Sequence, residues 1–98
     1  MELSQNRSGF AAATLGDLAI FAGGYVIRPP NRWINLPTVD IYNARTGRWH
    51  LSALSQARDA ADAVAVDRQV LFAGGETSGG TSDVVDIYHL GRVRGATR

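Results

Sequence analysis

Chemistry in this chain has to be assembled from arginine, acidic, histidine and aromatic side chains, because all ten basic residues are arginine and cysteine is absent. Without a thiol there is no disulfide, no thiolate metal ligand and no cysteine nucleophile. Arg7 and Arg58 occupy the same place in two copies of one pentapeptide frame, Leu3-Ser4-Gln5-Asn6-Arg7 and Leu54-Ser55-Gln56-Ala57-Arg58. The planar fork of a guanidinium suits bidentate contact with a carboxylate or phosphate. A structural use is equally available to it, as a cap on strand-end carbonyls or as partner to an acid, with Asp59 and Asp62 near in sequence. A second cluster, Arg28, Arg32 and Trp33, lies in the segment 25–37 beside Pro29 and Pro30. An aromatic and two arginines on a proline-stiffened loop read as a contact surface, or else Trp33 folds back over its own sheet.

The other candidates carry less. His50 and His89 are the only histidines, and neither has a ligand partner at short spacing, so no metal site is expected. The pairs Gly23-Gly24 and Gly74-Gly75 lack the spacing and the lysine of a phosphate loop. No Ser/His/Asp set assembles. The chain reads as non-enzymatic, with no catalytic residue and no cofactor.

The elements that position these residues come from an internal repeat. From Leu3 to Gly24, nine of 22 positions are identical to those 51 residues further on, and Ile20-Phe21-Ala22-Gly23-Gly24 returns as Leu71-Phe72-Ala73-Gly74-Gly75. Val39-Asp40-Ile41-Tyr42 returns as Val85-Asp86-Ile87-Tyr88 at an offset of 46. The lost five residues fall in the segment after the double glycine, which marks that segment as a surface loop. Residues 9–14 and 60–66 are small and apolar, as fully buried strands are. Gly16-Asp17 and Asp67-Arg68 then make two-residue turns into second strands at 18–22 and 70–73. Third strands at 38–42 and 84–88 alternate apolar residues with Asp40 and Asp86, the period of a half-exposed strand. Residues 48–51 form a fourth strand carrying Trp49. No segment holds a helical period.

Composition narrows the partners. With 45% apolar and 19% charged residues the 98-residue chain is a globular domain or a piece of one. A net charge of +1 argues against a dedicated nucleic-acid or polybasic membrane binder. The uncharged run 18–27 is ten residues with two glycines inside, too short to span a bilayer. Nothing in the composition sets a compartment.

Four ordered markers carry a resemblance. They are an arginine before the first strand (Arg7), a double glycine after the second (Gly23, Gly24), a tyrosine in the third (Tyr42) and a tryptophan in the fourth (Trp49). The second copy has Arg58, Gly74, Gly75 and Tyr88. In this order they resemble the kelch repeat. The resemblance implies an all-β chain of two consecutive four-stranded antiparallel blades of a β-propeller. Blade 1 spans 3–53, blade 2 spans 54–90, and 91–98 is a tail that does not match. Gly95 stands at the position of Trp49, so the second blade is expected to lack its outer strand, giving seven strands and an incomplete propeller. In kelch blades Tyr42, Trp49 and Tyr88 pack between neighbours. Arg7 and Arg58 then lie either at the mouth of a central channel, facing an acidic peptide or acidic sugar, or in structural pairs.

Such repeats imply a non-enzymatic scaffold that binds a protein partner, an acidic peptide among the candidates, through loops at one end of the blades. Two alternatives stand beside it: a fragment of a carbohydrate-active or galactose-oxidase-like propeller enzyme, and a structural repeat segment with no activity of its own. Two blades leave two open faces, since repeat units bury their faces on one another. The chain is therefore expected to be a fragment of a longer propeller, a homo-oligomer that closes a ring, or a truncated frame without a stable product.

Overall fold

Short runs of apolar residues separated by tight turns fold here into antiparallel sheets. A computed structural model describes residues 2–89 and the strand Arg92–Ala96, and no helix occurs among them. In chain order the strands are β1 (Ala11–Leu15), β2 (Leu18–Ala22), β3 (Tyr25–Arg28), β4 (Arg32–Asn35), β5 (Thr38–Asn43) and β6 (Arg48–Ala53). The second half repeats the plan with β7 (Asp62–Val66), β8 (Gln69–Ala73), β9 (Glu76–Thr77), β10 (Gly80–Thr81), β11 (Val85–His89) and β12 (Arg92–Ala96).

Two four-stranded sheets result, ordered β1-β2-β5-β6 and β7-β8-β11-β12. The hairpins β3–β4 and β9–β10 stand apart from them, each inserted between the second and third strand of its sheet. Gly16 and Asp67 both take positive φ, 58° and 57°, at the first position of the β1–β2 and β7–β8 turns. That conformation matches the twist of two-residue hairpins.

Pleating sorts the side chains. In the first sheet Ala11, Leu15, Ile20, Ala22, Val39 and Ile41 share one face by register, and all are buried. They form one core with Val70, Phe72 and Tyr88 of the second sheet and with Leu54. Strand β1 lies against β7 and β8, and the molecule is only 15 Å deep along its shortest axis, the depth of two stacked sheets.

Four sequence expectations change. The second sheet does have an outer strand: β12 pairs with β11 along its length, so 92–96 is not a tail. Residues 90, 91, 97 and 98 lie outside the described residues. Eight sheet strands and two extra hairpins replace the expected seven strands. Neither first strand is fully buried: Ala12 and Thr14 of β1 are exposed and Val64 and Val66 of β7 are 54% and 53% exposed, because nothing among the described residues covers those faces. The third strands are not half-exposed either: Asp40 and Asp86 are 2% and 0% exposed. An acid on an apolar strand reads as solvent-facing only until a buried cation meets it.

Candidate functional site

The pentapeptide frame acts as a clamp across the end of each sheet. Arg7 Nη1 donates to Asp40 Oδ2 at 2.8 Å, Nη2 to the Phe21 carbonyl at 3.0 Å and Nε to the Gly23 carbonyl at 2.7 Å. Asp40 Oδ2 also accepts from the Ser4 hydroxyl and amide. Fifty-one residues on, Arg58 Nη1 donates to Asp86 Oδ2 at 2.9 Å and Nη2 to the Phe72 carbonyl at 2.7 Å, while the Ser55 amide donates to Asp86 Oδ2. Both arginine side chains have zero solvent exposure. Their acids are therefore Asp40 and Asp86, not the sequence neighbours Asp59 and Asp62. The guanidinium groups are spent on strand-end carbonyls and acids, the structural use given above. Ser4, Gln5 and Arg7 all bond within the clamp, since Gln5 Oε1 accepts from the Thr38 hydroxyl. Gln56 repeats this with Ser82 at 2.5 Å. Arg58 Nε and Asp86 Oδ1 are buried without a hydrogen-bond partner among the described residues.

The double glycines serve the same clamp. A Cβ on Gly24 would sit 2.5 Å from the Ser8 carbonyl oxygen, and one on Gly75 would strike the equivalent Asp59 carbonyl. The Arg58 carbonyl accepts from the Gly24 amide at 2.9 Å and lies where a Gly23 Cβ would be. Glycine is required at 24 and 75 because main chain of the same repeat crosses there, and at 23 because main chain of the next repeat arrives.

The remaining candidates gather on the β3–β4 hairpin, at the same end of the first sheet. Sequence reading treats 25–37 as loop. The structure pairs Tyr25 with Asn35, Ile27 with Trp33 and Arg28 with Arg32. Trp33 does not fold back over the sheet. Its ring stacks on Tyr25 at 4.4 Å and it remains 58% exposed. Arg28 and Arg32 stand directly opposite on the other face of the hairpin, both exposed, and neither has an acidic partner among the described residues. Like charges so placed repel. The Pro29–Pro30 peptide that joins them is cis. Asn35 anchors the hairpin to the second repeat, donating to Asp59 Oδ1 at 2.6 Å and to the Glu76 carbonyl.

The outer edge of β3 is open beyond its first residue. Tyr25 exchanges two backbone hydrogen bonds with Ser8. By antiparallel alternation the next outward peptide group belongs to Ile27, and no partner meets it among the described residues. A groove of about 560 Å³ runs there, between residues 5–8 and Tyr25, Val26, Ile27 and Arg28. An extended peptide with a carboxylate near Arg28 fits this combination of free edge and free cations.

At the opposite end a larger groove of about 940 Å³ opens between the two sheets, floored by Leu15, Leu18, Ile41 and Tyr88, with Arg48 and Arg68 among its lining. Sequence reading did not find it, because it depends on how the sheets stack. His50 and His89 are exposed on different sheets, and no group of three potential metal ligands occurs among the described residues. Tyr88 is buried as expected of a packing residue. Tyr42 is half-buried and Trp49 is 38% exposed, lying 5.0 Å from Tyr42 and 6.4 Å from Phe21, because their face of the first sheet is uncovered.

No protein-family model matches the sequence, and no curated protein matches it. Among solved structures the chain is similar to YjhT, with a TM-score of 0.77 over 99% of this chain at 22% identity. The chain spans 33% of that protein's length. At this identity the likeness speaks for the all-β fold alone.

Proposed function

We propose that this chain is a pair of kelch-type propeller blades acting as a non-enzymatic scaffold, and that it captures an extended acidic peptide on the β3–β4 hairpin. The four markers of the repeat and two sheets of equivalent order support the kelch reading. The observation that carries the binding role is the Arg28–Arg32 pair, two facing cations without an acid among the described residues, on the opposite face of the hairpin from an exposed stacked tryptophan. A carboxylate or phosphate ligand would turn that repulsion into attraction. The free edge at Ile27 supplies main-chain pairing.

The test is fluorescence anisotropy with a labelled Asp/Glu-rich peptide and a neutral peptide of equal length. Each charge-assisted bond is worth about 1.5–3 kcal/mol, so Arg28→Ala with Arg32→Ala weakens the acidic peptide by at least about tenfold. The same variant leaves the thermal midpoint unchanged or slightly raised, since it relieves a repulsion of about 0.2–1 kcal/mol. Equal binding of wild type and double variant, or equal binding of both peptides, defeats the proposal.

A further inference from the structure

The repeat makes the two uncovered faces of this molecule the two halves of an interface already present inside it. In the covered interface, Ala11, Leu15, Ile20, Val39 and Ile41 of the first sheet meet Val70, Phe72 and Tyr88 of the second. The repeat counterparts of the first group are Asp62, Val66, Leu71, Val85 and Ile87. They lie on the far face of the second sheet, where Val66 is 53% exposed against 8% for Leu15. The counterparts of Phe72 and Tyr88 are Phe21 and Tyr42, on the far face of the first sheet. There they join Trp49 in a half-covered aromatic cluster. Phe72 is fully buried, whereas Phe21 is not.

The main chain shows the same asymmetry. Gly23 and Gly24 receive the Arg58 carbonyl of the next repeat. The counterpart of Gly23, Gly74, keeps its positive φ of 71° with only the Ser82 carbonyl near its Cβ direction, at 3.5 Å. Gly24 and Gly75 are each closed by main chain of their own repeat, whereas Gly23 is filled by the next repeat and its counterpart Gly74 is left open.

We infer that a second copy of this chain docks head to tail. The far face of its first sheet seats on the far face of the second sheet of its neighbour, and its Arg7 carbonyl takes the open place beside Gly74. This contact is heterologous, joining two different faces, so copies add until the ring closes. The expected particle is a closed ring of a fixed number of copies.

The test is sedimentation of the full chain beside two variants. Val64→Glu charges the exposed far face of the second sheet, and Ala12→Glu charges the exposed far face of the first. Neither residue belongs to the internal core, so each variant keeps the dichroism of the wild type. The wild type sediments as a discrete oligomer and each variant alone as a monomer. Mixing the variants restores one intact pair of faces and yields a one-to-one heterodimer that grows no further. A folded wild-type monomer at micromolar concentration overturns the inference. So does a variant that still dimerises with itself, since that marks a face pairing with its own copy. The peptide assay above is read on the monomeric variants, which keeps the two proposals separable.

Discussion

Removing Asp86 while leaving Arg58 is the sharpest test of how this fold is held. Arg58 is fully buried and its Nη1 lies 2.9 Å from Asp86 Oδ2. At an effective dielectric near 20 such a pair attracts by roughly 6 kcal/mol, before desolvation is subtracted. Asp86→Ala strands a buried guanidinium and takes the acceptor from the Ser55 amide, a loss of about 3–5 kcal/mol. A domain of this size is stable by about 5–15 kcal/mol, so the loss is about a fifth of the total or more. The double replacement Arg58→Met with Asp86→Leu behaves differently. The native pair leaves Nε and Oδ1 without partners among the described residues, and apolar substitutes remove that penalty, so the double variant lies within about 1 kcal/mol of wild type or above it. The Arg7–Asp40 pair sets the contrast. There Nε reaches the Gly23 carbonyl and Asp40 holds Ser4 twice. Its double replacement therefore costs more than the one at Arg58 and Asp86. Urea unfolding followed by far-UV dichroism measures all of these on one scale. If Asp86→Ala costs under about 1 kcal/mol, or if the double variant at that pair is no more stable than the single, the reasoning about buried pairs is wrong.

Three backbone predictions accompany it. Ala60 holds φ of 56° at the position where the first repeat has Gly9 at 66°. Left-handed backbone costs a non-glycine residue about 1–2 kcal/mol. The extra unfolded-state freedom of glycine returns part of this, so Ala60→Gly raises stability by about 0.5–1 kcal/mol in the same urea assay. Gly24→Ala must fit a Cβ at φ of 105° against the Ser8 carbonyl. It loses about 2–4 kcal/mol through strain and the displaced Ser8–Tyr25 pairing. Gly16→Ala, with open space around its Cβ, loses only about 1 kcal/mol.

The sheet strands were legible where period, turn chemistry and repetition agreed. Gly16-Asp17 and Asp67-Arg68 announce their hairpins, and the residues between them and the double glycines are apolar apart from Gln69. Strand β12 was hidden for two reasons. Its sequence, Arg92-Val93-Arg94-Gly95-Ala96, has no tryptophan and a weak strand propensity, so pairing with the edge of β11 decides its conformation. Four residues separate β5 from β6 but only two separate β11 from β12. A constant offset therefore pointed to Gly95, whereas register places Val93 opposite Tyr88 as Trp49 is opposite Tyr42. The partners of Arg7 and Arg58 do carry a sequence signal. Asp40 and Asp86 recur with the same repeat as the arginines, and a charge repeated on an otherwise apolar strand calls for a repeated counter-charge. The β3–β4 hairpin has no counterpart signal of that kind. Its pairing follows from the long insertion and the Pro29-Pro30 turn, not from alternation.

The stretch 54–60 has a consequence for how the molecule comes apart. Its Leu54 amide bonds the Pro37 carbonyl, its Arg58 carbonyl bonds Gly24 and its Ala60 amide bonds the Gly9 carbonyl, all in the first half of the chain. Its Arg58 side chain and Ser55 amide meanwhile hold Asp86 in the second half. The boundary that the repeat draws before Leu54 is thus a boundary in sequence and not in mechanics. A strap tied to both sheets makes them open together, so amide protons of β2 and β8 exchange with one common free energy instead of two.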